Sequence, residues 1–76
     1  MPTFYFNVRS DQFDATDTVG EFCPSEADAR RQALHAARAI VQRELARGGL
    51  PSRGWIDVED EQHRPVLTIP LREAAF

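Results

Sequence analysis

A single cysteine, no lysine and no long apolar run are the telling shortages of this 76-residue chain. The lone thiol, Cys23, excludes an internal disulfide. Together with the lack of a basic start followed by an apolar run of signal-peptide length, it sets the expectation of a reducing cytoplasm. No stretch approaches the roughly 18 apolar residues that a membrane span needs, so no membrane partner is expected. Positive charge is not in excess either: the net charge is −3 and the pI is near 5.2, which removes the long-range attraction that non-specific binding to phosphate backbones requires. Metal-ligand pairs of the CxxC or HxxxH kind are missing, and so is any glycine-rich phosphate loop before a helix.

What is present suits one small globular domain spanning residues 1–76. Hydrophobic residues make up 42% and charged residues 28%, and five Phe, one Tyr and one Trp suffice for a compact core. At this size only about 60% of the unfolded surface is buried, so stability is expected to be modest. Charge is unevenly placed. Residues 25–48 carry five Arg against Glu26, Asp28 and Glu44, a local +2, whereas the flanks carry four Arg against nine acids, a local −5. All nine basic residues are Arg, which suits forked recognition of carboxylate or phosphate but equally reflects a composition bias.

Residues 25–47 read as one long amphipathic helix. Ser25 is placed to cap the first free amides with Asp28 reaching back three residues on, and Gly48, Gly49 and Pro51 end the helix. Its apolar stripe is Ala33, Leu34, Ala37, Ile40 and Val41, and its outer face is Arg31, His35, Arg38 and Gln42. A lone helix must bury that stripe on a sheet formed by its flanks. Residues 3–9 alternate Phe4, Phe6 and Val8 with Tyr5, Asn7 and Arg9. After a polar loop over residues 10–17, residues 19–22 form a weaker second strand interrupted by Gly20. Residues 55–59 place Ile56 and Val58 inward, and residues 66–71 place Leu67, Ile69 and Leu71 inward. Pro70 puts this last strand at an edge. The expected fold is α+β: a four-stranded antiparallel ββαββ sheet, order 2-1-3-4, with the helix on one face.

The opening M-P-T-F-Y-F-N-V-R, Gly20 and Pro24 before the helix, the segment S-E-A-D-A-R-R-Q-A-L, the Gly48-Gly49 stop and the closing V-L-T-I-P-L resemble a family of short bacterial ββαββ proteins classed only as a domain of unknown function. The resemblance covers essentially the whole chain and is carried by structural elements. It implies a fold and a bacterial cytosolic setting, with no catalytic residues to carry over. Cys23 stands where a leucine-like residue is common in that family, which implies packing at this position.

Several constellations invite a chemical reading. Cys23 before a helix N-terminus has the makings of a nucleophile with His35 or His63 as base, but an isolated Cys more often packs as a small hydrophobe. Asp11, Asp14 and Asp17 lack the ligand spacing and closing Glu of a calcium loop and suit a solvated turn. Asp57, Glu59, Asp60 and Glu61 offer a carboxylate pair without the apolar enclosure that general acid work needs. No catalytic residue, cofactor or metal is therefore expected, and the chain is not read as an enzyme.

The open sheet face holds the candidate interface. By alternation it presents Tyr5, Asn7, Arg9, Trp55, Asp57, Val66 and Thr68, with two amphipathic rings of the kind enriched at interfaces. The countervailing expectation is that loops and the tail Ala74, Ala75 and Phe76 shield it. The functional expectation is a small interaction module that self-associates or binds a protein partner through this face. The alternative is a nucleic-acid module using Tyr5 and Trp55 as stacking platforms and Arg9, Arg31 and Arg38 on phosphates, which the acidic balance disfavours.

Overall fold

The computed structural model describes residues 2–49 and 53–74. Within them the order is β1 (Thr3–Ser10), β2 (Asp14–Ala15), β3 (Glu21–Phe22), α1 (Glu26–Ala46), β4 (Gly54–Glu59), β5 (Pro65–Pro70) and a short 3-10 helix (Leu71–Ala74). Every strand pairing is antiparallel, in the order β2-β1-β4-β5, and β3 also pairs with β1. The α+β class is as the sequence implied. Pro51, Ala75 and Phe76, expected to stop the helix and to shield the sheet, lie outside the described residues.

The helix keeps its expected limits because both ends are chemically marked. Ser25 is extended, and its Oγ accepts from the Asp28 N–H at 3.2 Å. The Asp28 carboxylate returns to the Ser25 hydroxyl at 2.9 Å rather than to a backbone amide. At the other end Gly48 and Gly49 have φ of 124° and 138°, and the Gly49 and Gly48 amides donate to the carbonyls of Glu44 and Leu45. That paired closure needs a residue free of Cβ strain. Ser25→Ala should cost about 1 kcal/mol, read as a fall of roughly 5 °C in a thermal melt.

Ala29, Ala33, Ala37 and Val41 form the buried line of the helix, flanked by partly buried Leu34 and Ile40. Three consecutive alanines at four-residue spacing leave no side chain to hold the helix off the sheet. Arg31, His35, Arg38 and Gln42 are exposed on the far side, as expected. The sheet answers with Phe4, Ile56, Val58 and Ile69, and the 3-10 helix adds Leu71 and Ala74. Helix α1 approaches β4, β5 and the 3-10 helix most closely, which leaves Phe6 and Val8 of β1 only partly buried.

The second strand departs from expectation. Residues 19–22 do not form one strand: Val19 is 85% exposed, and pairing to β1 is confined to Asp14–Ala15 and Glu21–Phe22, with β2 falling inside the expected loop. Between these pieces residues 16–20 leave the ladder. Asp17 fills the gap: its Oδ2 accepts the Phe6 N–H at 3.1 Å, and its Oδ1 accepts those of Val19 and Gly20 at 3.0 and 2.9 Å. Gly20, with φ of 79°, lies so close to β1 that a Cβ there would sit 2.6 Å from Thr3 Cγ2 and 2.9 Å from the Tyr5 ring. Only glycine fits that approach.

The last strand ends at Pro70 rather than at residue 71, and it occupies the edge that its proline implied. The Phe6 amide points toward β2 and β3, so alternation turns the Leu67 and Ile69 amides toward β4 and leaves Thr68 and Pro70 facing outward. Pro70 has no amide to offer, which blunts this edge against strand addition.

Candidate functional site

Antiparallel register sorts the residues of the uncovered face into cross-strand rows. Arg9, Trp55 and Pro70 form one row, Asn7, Asp57 and Thr68 the next, and Tyr5 stands opposite Glu59 in the third. The sequence-derived interface therefore converges on one surface, with one departure. Val66 falls at the irregularity where Val58 pairs with Leu67 but Glu59 pairs with Pro65. It is left out of the ladder and packs, partly buried, against the core. A bulge of this kind shifts side-chain parity, and period-two reasoning does not register it.

Four of these residues are already engaged within the chain. Asn7 is only 3% exposed despite its outward position, because the 16–20 excursion folds over it and the Asp17 N–H donates to Asn7 Oδ1 at 2.8 Å. The Tyr5 ring is stacked on His63 with centroids 4.3 Å apart, while Gly20 abuts its edge. Asp57 accepts from the Thr68 hydroxyl at 3.2 Å. The least engaged part of the face is the row of Arg9 and Trp55, both half-buried, where Arg9 Nη1 donates to Thr16 Oγ1 at 3.3 Å. The shielding foreseen for this face comes from the 16–20 segment. Ala74 is instead buried in the core on the helix side.

Sequence reasoning missed two residues here. Phe22 pairs with Thr3, shares its outward parity and is 50% exposed, extending the apolar surface past Tyr5. His63 has a left-handed φ of 62° at the β4–β5 turn, where its Nδ1 lies 3.3 Å from Glu59 Oε1. A four-residue spacing of His63 from Glu59 was the available signal. Asp60 organises this turn: its Oδ1 accepts the Gln62 and Arg64 amides, both at 2.9 Å. The Arg64 amide, then that of Gln62 and the Arg64 guanidinium, hold its carboxyl below the usual range.

The chemical constellations are dispersed. Cys23 is buried, and desolvation, with the Glu21 charge behind it, pushes its thiol up and away from thiolate chemistry. His35 lies on the exposed face of the helix, and His63 on the sheet side. Asp17 is committed to backbone amides, and Asp14 accepts from the Ser10 N–H at 3.3 Å. Among the described residues no group of three or more His, Cys, Asp or Glu is placed to hold a metal ion. No helix among them is long and apolar enough to cross a membrane.

The family model described as Domain of unknown function (DUF6894) matches residues 3–72, and the chain belongs to that family. No curated protein and no solved structure matches it.

Proposed function

We propose that this member of the DUF6894 family is a small interaction module of the cytoplasm, not an enzyme, and that it binds a second copy of itself through the uncovered sheet face. The observation that carries the reading is the row of Arg9, Trp55 and Pro70 beside the row of Asn7, Asp57 and Thr68. A cation and a large ring stand next to a carboxylate, so the patch is complementary to its own copy. A two-fold axis running across the strands between the two rows sets each Trp55 against the other copy's Asp57, brings the long Arg9 side chain diagonally within reach of that carboxylate, and keeps like charges apart.

Magnitude limits the expected affinity. A three-strand face of roughly 14 by 20 Å is well below the ~800 Å² per partner of a standard interface. Even with Phe22 at its margin, a dimer with a Kd on the order of 10–100 μM is expected. Sedimentation equilibrium across that range should show a monomer–dimer transition. Trp55→Ala and Arg9→Glu should each abolish it, and Arg9→Glu with Asp57→Arg should restore it. A strict monomer at about 0.5 mM, roughly ten times the middle of the expected Kd range, removes the self-association reading. A partner of another sequence would then be the remaining protein-binding form of the proposal.

Nucleic-acid binding draws less support from the same geometry. The Tyr5 ring is already occupied by His63, and Arg31 and Arg38 are exposed on the helix side opposite the sheet rings. Flow-through on heparin at low salt is the outcome expected.

A further inference from the structure

The strongest unexplained feature lies away from the sheet face, where the β1–β2 turn meets the C-terminal turn of α1. Gln12, Phe13, Arg43, Glu44, Arg47 and Gly49 line a half-open cleft of about 350 Å³, within the size range of small-molecule sites. Glu44 continues the buried line of Ala33, Ala37 and Val41, so the helix turns a carboxylate inward where an apolar residue would suit the stripe. Its side chain is 9% exposed, and Oε2 has no hydrogen-bond partner. An orphaned buried carboxylate oxygen is costly, and such a group calls for a missing donor.

The surroundings define that donor's chemistry. Arg43 Nε and Arg47 Nη1 lie 3.7 and 3.8 Å from Glu44 Oε2, near enough to share its field and too far to hydrogen-bond it. Arg43 also sits over the Phe13 ring, 5.8 Å from its centroid. The site thus holds an acceptor lacking a donor and two guanidinium groups whose donors are unspent on it. Both Arg side chains are more than half exposed and free to swing toward a ligand, uncovering the oxygen between them.

We infer that this cleft binds a free α-amino acid, its ammonium on Glu44, its carboxylate on Arg43 and Arg47, and its side chain against Phe13 and Gln12. The ammonium and carboxylate of an α-amino acid are about 3 Å apart, which matches the short spacing between Glu44 and its two flanking cations. An anion alone leaves the Glu44 oxygen unsatisfied. A simple amine makes no use of the guanidinium groups, which stay solvated.

Amide-resolved NMR of the full chain tests this with three probes: L-alanine, propionate, which lacks the ammonium, and propylamine, which lacks the carboxylate. L-alanine should give saturable shifts confined to residues 12–13 and 43–49 with a Kd on the order of 1 mM, and the other two should bind at least about tenfold more weakly. Glu44→Gln should weaken L-alanine binding by about tenfold or more, and so should Arg47→Gln, an exposed change that leaves the core untouched. No saturable shift with L-alanine up to roughly 50 mM overturns the inference. Equal binding of propionate overturns it too, since the site would then be a plain anion site. Because this cleft lies against the C-terminal turn of α1 and Trp55 belongs to the face turned away from the helix, the result does not depend on self-association through that face.

Discussion

Ile56→Ala is expected to remove about 3–4 kcal/mol of stability, a loss typical of truncating a fully buried aliphatic side chain. Ile56 is fully buried on β4, between Val8 of β1 and Ile69 of β5, and belongs to the core that the helix alanines close. Truncating it leaves a void that cannot collapse. The helix already rests on alanines, and β4 is held by ladders on both sides, so neither layer can move inward without breaking hydrogen bonds. A 76-residue domain has roughly 4–11 kcal/mol in all, so the variant should be partly unfolded at 37 °C, with a melting point lower by about 15–25 °C. Leu67→Ala, at a partly buried edge position, should cost clearly less. Urea midpoints decide the point: equal losses at 56 and 67 would mean that the helix does not close over β4.

The legibility of these positions in the sequence follows from how many residues share each signal. Ser25, Asp28 and the Gly48-Gly49 pair mark the helix limits with local chemistry, and the wheel of alanines locates its buried side. Phe4, Phe6 and Val8 with Ile56, Val58, Leu67 and Ile69 form long enough alternations to fix parity, and Pro70 points to the edge. The division of the second strand is not legible, because two-residue strands carry no period. Asp17 stands out only as a turn former until its three amide partners are seen. Alternation places Asn7 on its true face but leaves it open, since a segment folding over that face leaves no trace in alternation. The Val66 bulge and the inward Glu44 are further departures. Glu44 was detectable, because counting on from Val41 by three residues places it on the apolar stripe.

Asp17→Ala is expected to be the most damaging change outside the hydrophobic core, at about 2–3 kcal/mol, because one carboxylate satisfies backbone amides from two directions. Oδ2 faces the Phe6 amide on β1, and Oδ1 faces those of Val19 and Gly20 within the excursion. Alanine leaves all three without this acceptor and removes the clasp that holds Gly20 against Tyr5 and residues 16–20 over Asn7. Asp17→Asn separates geometry from charge. An amide side chain has one oxygen, so it can serve one side only and turns N–H toward N–H on the other, at a cost of about 1–2 kcal/mol. The charged form matters further. Burial pushes the Asp17 carboxyl up, but the amides of Gly20, Phe6 and Val19 together pull it lower, and the net value lies below the ordinary 3.8. A group whose folded pKa is depressed stabilises the fold above its unfolded value and loses that contribution as pH falls through the folded one. Wild-type stability should therefore drop from about pH 5 downward, with Asp60 contributing the same sign from its exposed turn. Asp17→Asn should show a shallower acid limb, so the gap between the two proteins narrows from pH 7 to pH 3. Urea midpoints at the two pH values measure it, and parallel losses would show that the Asp17 charge contributes nothing to holding the excursion in place.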